Sequence, residues 1–302
     1  MPSYEFVTVD VFTDTRFGGN PLAVFPSAAG LTDAQMQALA REFNYSETTF
    51  VLPPEDPRHT ARVRIFTPTT ELPFAGHPNV GTGYVLATRV APLPEHFTFE
   101  EDAGLVRVHI LKGADGRPNG ARISAPQALS IGIAVPTGMV AECASLELED
   151  IATLAHEPLV ASVGLPFVIA EVASVAALTR AMPDLDAFCD VADAIDELSG
   201  RFNLLLYARV DGDARRLRTR MFAPLADIVE DPATGSAAAA LAALLTSLAP
   251  GDNVDLAYDI SQGEEIGRPS RLLATARKTG EGPVLATVAG SCVNVMHGQA
   301  EA

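Results

Sequence analysis

Residues 220–237 read Arg-Met-Phe-Ala-Pro-Leu-Ala-Asp-Ile-Val-Glu-Asp-Pro-Ala-Thr-Gly-Ser-Ala, and residues 64–83 carry the same pattern earlier in the chain. In both segments an Arg-x-Phe-x-Pro motif comes first, and a Pro-x-x-Gly-[Ser/Thr] turn follows at Pro78 to Thr82 and at Pro232 to Ser236. Each turn leads directly into a run of small and apolar residues that favours a buried helix. Because motifs that recur in the same order are typical of repeated structural units, the pattern predicts a duplicated, two-lobed architecture.

The length and the strand pattern indicate the fold class. The chain has 302 residues, more than a single hydrophobic core usually serves. Short alternating strands dominate both halves, each half holds one or two helices, and strict βαβ alternation is absent, so we expect an α+β fold. A stretch bounded by prolines at 126–136 suggests a boundary between an N-terminal lobe of residues 1–128 and a C-terminal lobe of residues 129–302. The last residues of the chain could instead complete the N-terminal lobe.

Three helices are predicted outside the repeat segments. A capping-box pattern at Thr32 to Gln35 predicts the start of one helix. The other two are expected at Leu146 to His156 and at Ser174 to Met182.

Composition narrows the choice of partners and compartment. Lys and Arg number 21 against 38 Asp and Glu, a net charge of −17. Such an acidic surface repels phosphate backbones and anionic lipids, so we expect no nucleic acid and no membrane partner. Cys143, Cys189 and Cys292 form no CxxC pattern and fit buried free thiols in a reducing compartment. The first residues lack the basic and apolar regions of a signal peptide, and we expect a cytoplasmic protein.

The two repeat turns carry the residues best suited to chemistry. Free N–H groups and the positive dipole end make a helix start a ready site for an anion. His77 lies immediately before one turn and Asp231 immediately before the other. If both helix starts faced one cleft, they would suit proton abstraction beside a carboxylate. Spacing alone leaves plainer roles open, because His77, Asp231 and Ser236 could each simply cap a turn or a helix.

A third candidate is Glu47, which follows Ser46 at the junction of a predicted helix and strand. A carboxylate among hydroxyl and apolar groups suits a general base, although an exposed glutamate at a strand start is the alternative. The six histidines form no metal-binding pattern, and no glycine-rich nucleotide loop or Gly-x-Ser-x-Gly motif is present. The sequence therefore predicts no metal and no cofactor.

Together, these segments resemble the phenazine-biosynthesis PhzF-like isomerase family, which is similar in fold to diaminopimelate epimerase. The resemblance covers most of the chain. It implies two pseudo-symmetric lobes, each a mostly antiparallel β-barrel-like sheet around a central helix, with the active site between them and a homodimer as the usual assembly. The segments that carry it are Val9–Phe12, Gly19–Phe25, Ser46–Phe50, Arg64–Pro68, Glu71–Pro78, Phe222–Pro224, Glu230–Ala237, Gln262–Gly263 and Gly267–Ser270.

The resemblance also assigns roles to individual residues. It places the general acid/base on Glu47 and the other catalytic side chains on His77 and Asp231, with Ser236 beside them. It implies that a small-molecule carboxylate substrate is bound by Ser46, Gly76, Gly81, Thr82, Gly235 and Ser236. Related epimerases carry a cysteine base in each turn, and neither turn here contains one. Racemisation by two thiols is therefore excluded.

The function implied is a cofactor-independent isomerase that shifts a proton on a small cyclic amino or hydroxy acid, as trans-2,3-dihydro-3-hydroxyanthranilate isomerase does. Two alternatives stay open at this point. One is another epimerase or lyase acting on a small carboxylic acid, and the other is a non-catalytic protein that binds a metabolite.

Overall fold

The computed structural model describes residues 2–198 and 202–302. The chain divides into two compact units, Met1–Pro126 with Ala289–Ala302, and Gln127–Val288. The predicted boundary at 128/129 lies close to this division. The last residues of the chain were predicted to belong to the second lobe, with completion of the first lobe as the alternative. In the structure, Ala289–Ala302 pack with the first unit.

The first unit consists of strands with two helices between them. Its elements are β1 (Ser3–Val11), β2 (Asn20–Phe25), α1 (Asp33–Phe43), β3 (Glu47–Leu52), β4 (Ala61–Phe66), β5 (Glu71–Leu72), α2 (Gly76–Ala87), β6 (His96–Glu101), β7 (Gly104–Lys112) and β8 (Pro118–Ser124). The predicted capping box is present at the start of α1, where Thr32 and Gln35 cap each other.

Strand pairing in the first unit wraps the sheet around α2. β1 is antiparallel to β2, β3 to β4, β6 to β7 and β7 to β8, whereas β2–β3 and β4–β6 are parallel pairs. α2 contacts β1, β2, β3, β7 and β8, and nearly all its residues are buried. A helix surrounded by strands has no solvent-facing side, which explains why most of its residues are small or apolar.

The second unit also consists of strands with helices between them. Its elements are β9 (Ser130–Ala134), α3 (Thr137–Cys143), β10 (Ile151–Ala152), β11 (Leu159–Ser162), β12 (Pro166–Val172), α4 (Val175–Arg180), α5 (Leu185–Ala194), β13 (Leu204–Arg209), β14 (Arg216–Ala223), β15 (Ile228–Asp231), α6 (Gly235–Leu248), β16 (Asn253–Gln262) and β17 (Ser270–Thr279). The last strand, β18 (Leu285–Glu301), begins in this unit and continues into the first, where it pairs antiparallel with β1.

The pairing around α6 repeats the pairing around α2. β12–β13 and β14–β16 are parallel, and β13–β14, β14–β15 and β16–β17 are antiparallel. α6 follows β15 and contacts β11, β12, β16 and β17. The predicted α+β class, with a mostly antiparallel sheet around a central helix in each unit, is confirmed.

A buried arginine–glutamate pair explains the Arg-x-Phe-x-Pro half of the repeat. Arg220 donates to both carboxylate oxygens of Glu230 at 2.9 and 2.7 Å, lies 4.9 Å from the Phe222 ring centre and also donates to main-chain carbonyls of the segment 178–181. In the first unit Arg64 binds Glu71 through two bonds of 2.6 Å and lies 5.1 Å from the ring centre of the phenylalanine two residues later. Each pair ties a long strand to the short strand before the central helix.

The predicted helix at Leu146–His156 is wrong. A residue in the left-handed conformation, Ser145, ends α3, and the next regular element is a single turn of 3-10 helix at Leu148–Asp150. Ile151 then pairs with Val172 of β12. Tertiary strand pairing therefore outweighs the local helix preference of this segment.

The expectation of three buried cysteines is also wrong in one case. Cys143 and Cys292 are buried, but Cys189 is exposed. It lies on α5, whose buried side is formed by Phe188, Val191 and Ala192. Within the residues described, no helix is long and apolar enough to cross a membrane.

Gly81 allows α2 to approach the strands closely. A Cβ atom at Gly81 would lie 2.6 Å from a methyl carbon of Leu22 and 2.8 Å from one of Val11. At Gly83 it would lie 2.5 Å from a methyl carbon of Val108. The glycines thus set the distance between the helix and the sheet.

We predict that Gly81→Ala lowers the free energy of unfolding by about 1–3 kcal/mol, because the added methyl group overpacks the core. Gly138→Ala on α3 is the matched control, since a Cβ there meets nothing within 4 Å. It should be neutral or stabilise by up to about 1 kcal/mol. Urea unfolding of both variants measures this, and equal stability of the two would contradict the packing argument.

We predict that Arg220→Met costs about 3–5 kcal/mol, because it leaves the Glu230 carboxylate buried without its partner. Both side chains of this pair are only 5% exposed. Arg180→Met is the control, because Arg180 is 59% exposed in its pair with Asp150 and should contribute only about 0–1 kcal/mol. The difference is read from urea unfolding, and a cost at Arg220 as small as at Arg180 would be inconsistent with a structural ion pair.

Candidate active site

The first unit brings Glu47 and His77 together from separate elements. Glu47 is the first residue of β3, and His77 is the second residue of α2. The His77 Nε2 atom lies 3.5 Å from Glu47 Oε2, and the two side chains are 6% and 15% exposed. Pairing of β3 with β2 places Glu47 beside Leu22 and fixes the position of its main chain. Two of the three predicted catalytic residues are thus neighbours.

The imidazole of His77 is neutral in this setting. Complete burial lowers its pKa from 6.5 to about 3, and only a hydrogen bond to the Pro21 carbonyl opposes the shift. A carbonyl accepts, so the ring nitrogen facing Pro21 carries the proton. Nε2 has no hydrogen-bond partner among the described residues, so we infer that Nδ1 is the protonated atom. The lone pair of Nε2 therefore points toward Glu47.

The two central helices begin without a side-chain cap. Ala75 precedes α2 and Thr234 precedes α6, and neither side chain bonds the first-turn N–H groups. By contrast, Thr32, Ser174 and Asp184 cap α1, α4 and α5 with their side chains. First-turn N–H groups have no partner within their own helix, so these two helix starts keep donors for an anion.

In the second unit, Asp231 is held in a small polar network. Asp231 ends β15 and is 6% exposed, and its Oδ2 accepts a hydrogen bond from the Thr234 hydroxyl. The Gln262 side-chain amide donates to the Asp231 carbonyl at 2.8 Å and to Thr234 Oγ1 at 3.2 Å. Thr234 is not among the residues predicted from the sequence, although its place within the repeat turn is a usable signal. Its hydroxyl orients Asp231 instead of capping α6.

The backbone at Gly263, which follows Gln262, requires a glycine. It has a φ of +78°, and a Cβ there would lie 2.6 Å from the Pro232 carbonyl oxygen and 2.5 Å from that of Arg268. Only glycine tolerates both this backbone conformation and this closeness. The turn at 262–263 is thereby packed against the segment that carries Asp231.

The residues predicted to bind a substrate occupy two kinds of position. Gly76 and Gly235 are the first residues of α2 and α6, and Ser236 follows directly. The Ser46 hydroxyl, next to Glu47, donates to Asn20 Oδ1 at 3.0 Å. All four residues lie at a helix start or next to Glu47, so their predicted contact with a substrate is compatible with the structure.

Gly81 and Thr82 lie one turn further into α2. Gly81 packs on the strands, and the fully buried Thr82 hydroxyl shares a 2.8 Å hydrogen bond with Thr49. Both residues therefore have a packing role in the core of the first unit. Their contact with a substrate stays a prediction.

The acidic and basic side chains also show no metal-binding arrangement in the part of the chain that the structure describes. No group of three or more His, Cys, Asp or Glu side chains there is placed to hold a metal ion.

Comparison with known proteins identifies the family. The model of the family described as phenazine biosynthesis-like protein (PhzC-PhzF) matches residues 9–298. The chain is 36% identical to an uncharacterised isomerase of Mesorhizobium japonicum, over 99% of both chains. It is also 36% identical to trans-2,3-dihydro-3-hydroxyanthranilate isomerase of Pseudomonas aeruginosa, over 98% of this chain and 99% of that enzyme. Among solved structures, a PhzF-family phenazine biosynthesis protein of Bacillus anthracis matches over the full length of both chains, with a TM-score of 0.87 and 25% identity. The chain therefore belongs to the phenazine biosynthesis-like family and is an isomerase of that family.

Proposed function

We propose that this protein is a cofactor-independent isomerase that moves a proton between carbon atoms of a small cyclic amino or hydroxy acid. The observation that carries the proposal is the Glu47 carboxylate, 3.5 Å from the unprotonated nitrogen of a buried, neutral histidine. The similarity to trans-2,3-dihydro-3-hydroxyanthranilate isomerase supports this substrate class. The resemblance also supports a cytoplasmic homodimer, which belongs to the same proposal.

The proposed reaction conserves all atoms and electrons. Glu47 removes a proton from a ring carbon beside a conjugated system, and the electron pair of the C–H bond enters that system. The double bond shifts, and protonated Glu47 returns the proton to a different ring carbon. No oxidant, reductant or second substrate is needed.

His77 acts on the proton that Glu47 has taken. Its Nε2 lone pair can accept a hydrogen bond from the protonated carboxyl group, which stabilises the acid form of Glu47. A protonated His77 could not do this, because both ring nitrogens would then be donors. Burial keeps the ring neutral, so His77 supports the step without changing its own charge.

The remaining groups bind the substrate in this proposal. The uncapped first-turn N–H groups of α2 and α6, with the Ser236 hydroxyl, are suited to a carboxylate. Asp231, oriented by Thr234, is suited to an amino or hydroxyl group of the substrate. In this arrangement the N–H groups and the Ser236 hydroxyl donate to the carboxylate of a cyclic acid. Asp231 accepts from the amino or hydroxyl group of the same molecule.

We predict that Glu47→Gln lowers turnover by at least about 10²-fold, because the amide cannot take the proton. The measurement is proton NMR of ring acids in D₂O, starting with trans-2,3-dihydro-3-hydroxyanthranilate, in the presence of a chelator. Wild type should introduce deuterium at a ring carbon. Glu42→Gln, an exposed glutamate on α1, is the control and should retain full exchange.

The outcomes separate the alternatives. Exchange at a stereocentre without a double-bond shift would indicate an epimerase, and loss of a substituent would indicate a lyase. Ligand binding with no exchange, in wild type as in Glu47→Gln, would indicate a metabolite-binding protein. Full exchange by Glu47→Gln would overturn the proposed role of Glu47, and a large drop in its melting temperature would mean that Glu47 is structural.

We predict that His77 stays neutral, with its proton on Nδ1, between pH 5 and 8, because burial lowers its pKa to about 3. The pKa lies below the value of 6.5 for a free histidine, so the unfolded chain takes up a proton at acid pH first. Stability contributed by neutral His77 is present above pH 6.5 and falls as the pH drops toward 3. Nitrogen-15 NMR of labelled histidine measures this, with His77→Gln to assign the signal. Protonation near pH 6.5 would contradict the structure.

A further inference from the structure

A cavity lies in the first unit at the end of α2, away from the helix start that carries His77. It has a volume of about 360 Å³, and Val85 of α2 is part of its lining. Val85 follows His77 by eight residues, about 12 Å along the helix axis. Pockets for small molecules usually measure about 300–1,000 Å³, so the cavity has the size of a site for a small ligand.

The cavity forms where β1 extends past the end of α2. Side chains on one face of a strand recur at every second residue, and Val9 lies on the face that packs against α2. Glu5 and Val7 lie on that same face, and Val7 pairs with His297 of β18. Glu5, Val7 and His297 all line the cavity, so α2 leaves this end of the sheet face uncovered.

Arg16 lines the same cavity from the loop between β1 and β2. Its Nε atom donates to the Asn294 carbonyl at 2.8 Å, and neither terminal nitrogen of its guanidinium has a partner among the residues that the structure describes. The loop itself is fixed, because the Phe17 N–H donates to the carboxylate of buried Asp10 at 2.6 Å. An arginine held in this way presents the fork that fits a carboxylate or a phosphate, at a small cost in side-chain entropy.

The fixed charge around the cavity is opposite in sign to that of the chain. The chain has 38 acidic residues against 21 Lys and Arg, whereas the described lining has Arg16 and Arg89 against the carboxylate of Glu5. Arg89 donates to both carboxylate oxygens of Glu5, at 2.7 and 3.1 Å, so these two charges offset each other. The charge of Arg16 has no such counterpart. His297 adds an N–H donor in either of its protonation states. These groups favour an anion.

The rest of the lining supplies apolar contacts. Val295 and Met296 of β18 line the cavity together with Val7 and Val85. The register between β1 and β18 shifts at this point, where Val295 is the extra residue of a β-bulge. Bulges redirect side chains and are frequent beside binding sites. A ligand that combines an anionic group with an apolar body therefore matches both kinds of lining.

We propose that this cavity is a binding site for a small molecule that carries a carboxylate or a phosphate group on an apolar body. The anionic group accepts hydrogen bonds from Arg16 and His297, and the apolar body lies against Val7 and Val85. The site is separate from the helix start that carries His77. The inference does not depend on the proposed isomerase function, because it concerns binding alone.

Carbon-13 NMR of protein labelled at the methionine methyl group tests binding at this place. Met296 lines the cavity, and its signal is the one that is absent in Met296→Leu. Benzoate and phenyl phosphate, titrated separately, supply the two anionic groups on the same ring. At least one of them should shift the Met296 signal to saturation, with a Kd of about 1 mM or tighter. The tighter probe identifies the anionic group. Sodium chloride at equal ionic strength should not produce the shift.

Arg16→Gln should weaken this binding by at least about tenfold, because it removes the charge and the fork that hold the anion. Arg107→Gln is the matched control, since Arg107 is an exposed arginine on β7 outside the cavity and its loss changes the net charge equally. It should leave the Kd unchanged. Thermal unfolding followed by circular dichroism verifies that both variants are folded.

Three results would overturn the inference. The first is a Met296 signal that responds to neither probe. The second is a Met296 shift that sodium chloride reproduces, and the third is a Kd for Arg16→Gln that equals the wild-type value.

A replacement with a different geometry keeps the test decisive if Arg16→Gln does not fold. Arg16→Lys retains the charge and loses the fork, so it should bind more tightly than Arg16→Gln and more weakly than wild type. Binding by Arg16→Lys as tight as that of wild type would contradict the role of the guanidinium fork.

Discussion

The buried ion pair between Arg220 and Glu230, with its counterpart between Arg64 and Glu71, is the interaction on which each unit depends. Each guanidinium makes two bonds to one carboxylate and lies over the phenylalanine two residues later. The pair holds the short strand that leads into the central helix. In the second unit, Asp231 directly follows Glu230, so the position of the buried pair also sets the position of the candidate catalytic carboxylate.

Close packing of the central helices follows from the same layout. A helix enclosed by strands must present small residues on every side, and Gly81 shows how little room is left. The helix start then keeps N–H groups for other partners, because the first-turn N–H groups have none within the helix. The absence of a side-chain cap on both α2 and α6 is consistent with donors reserved for a substrate.

Burial sets the charge of the histidine in the first unit. It lowers the pKa of His77 to about 3, and the ring is neutral as a result. A neutral imidazole can accept a hydrogen bond from a protonated carboxyl group through its Nε2 lone pair. A nearby carboxylate can therefore take up and release a proton without a competing positive charge.

The sequence by itself determined the two-fold repeat, the α+β class and most of the strands, because alternating apolar residues and turn motifs report local geometry directly. It also pointed to the residues of the candidate site, because Glu47, His77, Asp231 and Ser236 all stand in recognisable motifs. It failed at Leu146–His156, where pairing of Ile151 with Val172 outweighs local preference. Only the tertiary structure decided the tautomer of His77 and the hydrogen bonds with which Thr234 and Gln262 position Asp231. Each of these depends on contacts between distant segments, and burial and hydrogen bonding across such contacts set the protonation states that no local pattern records.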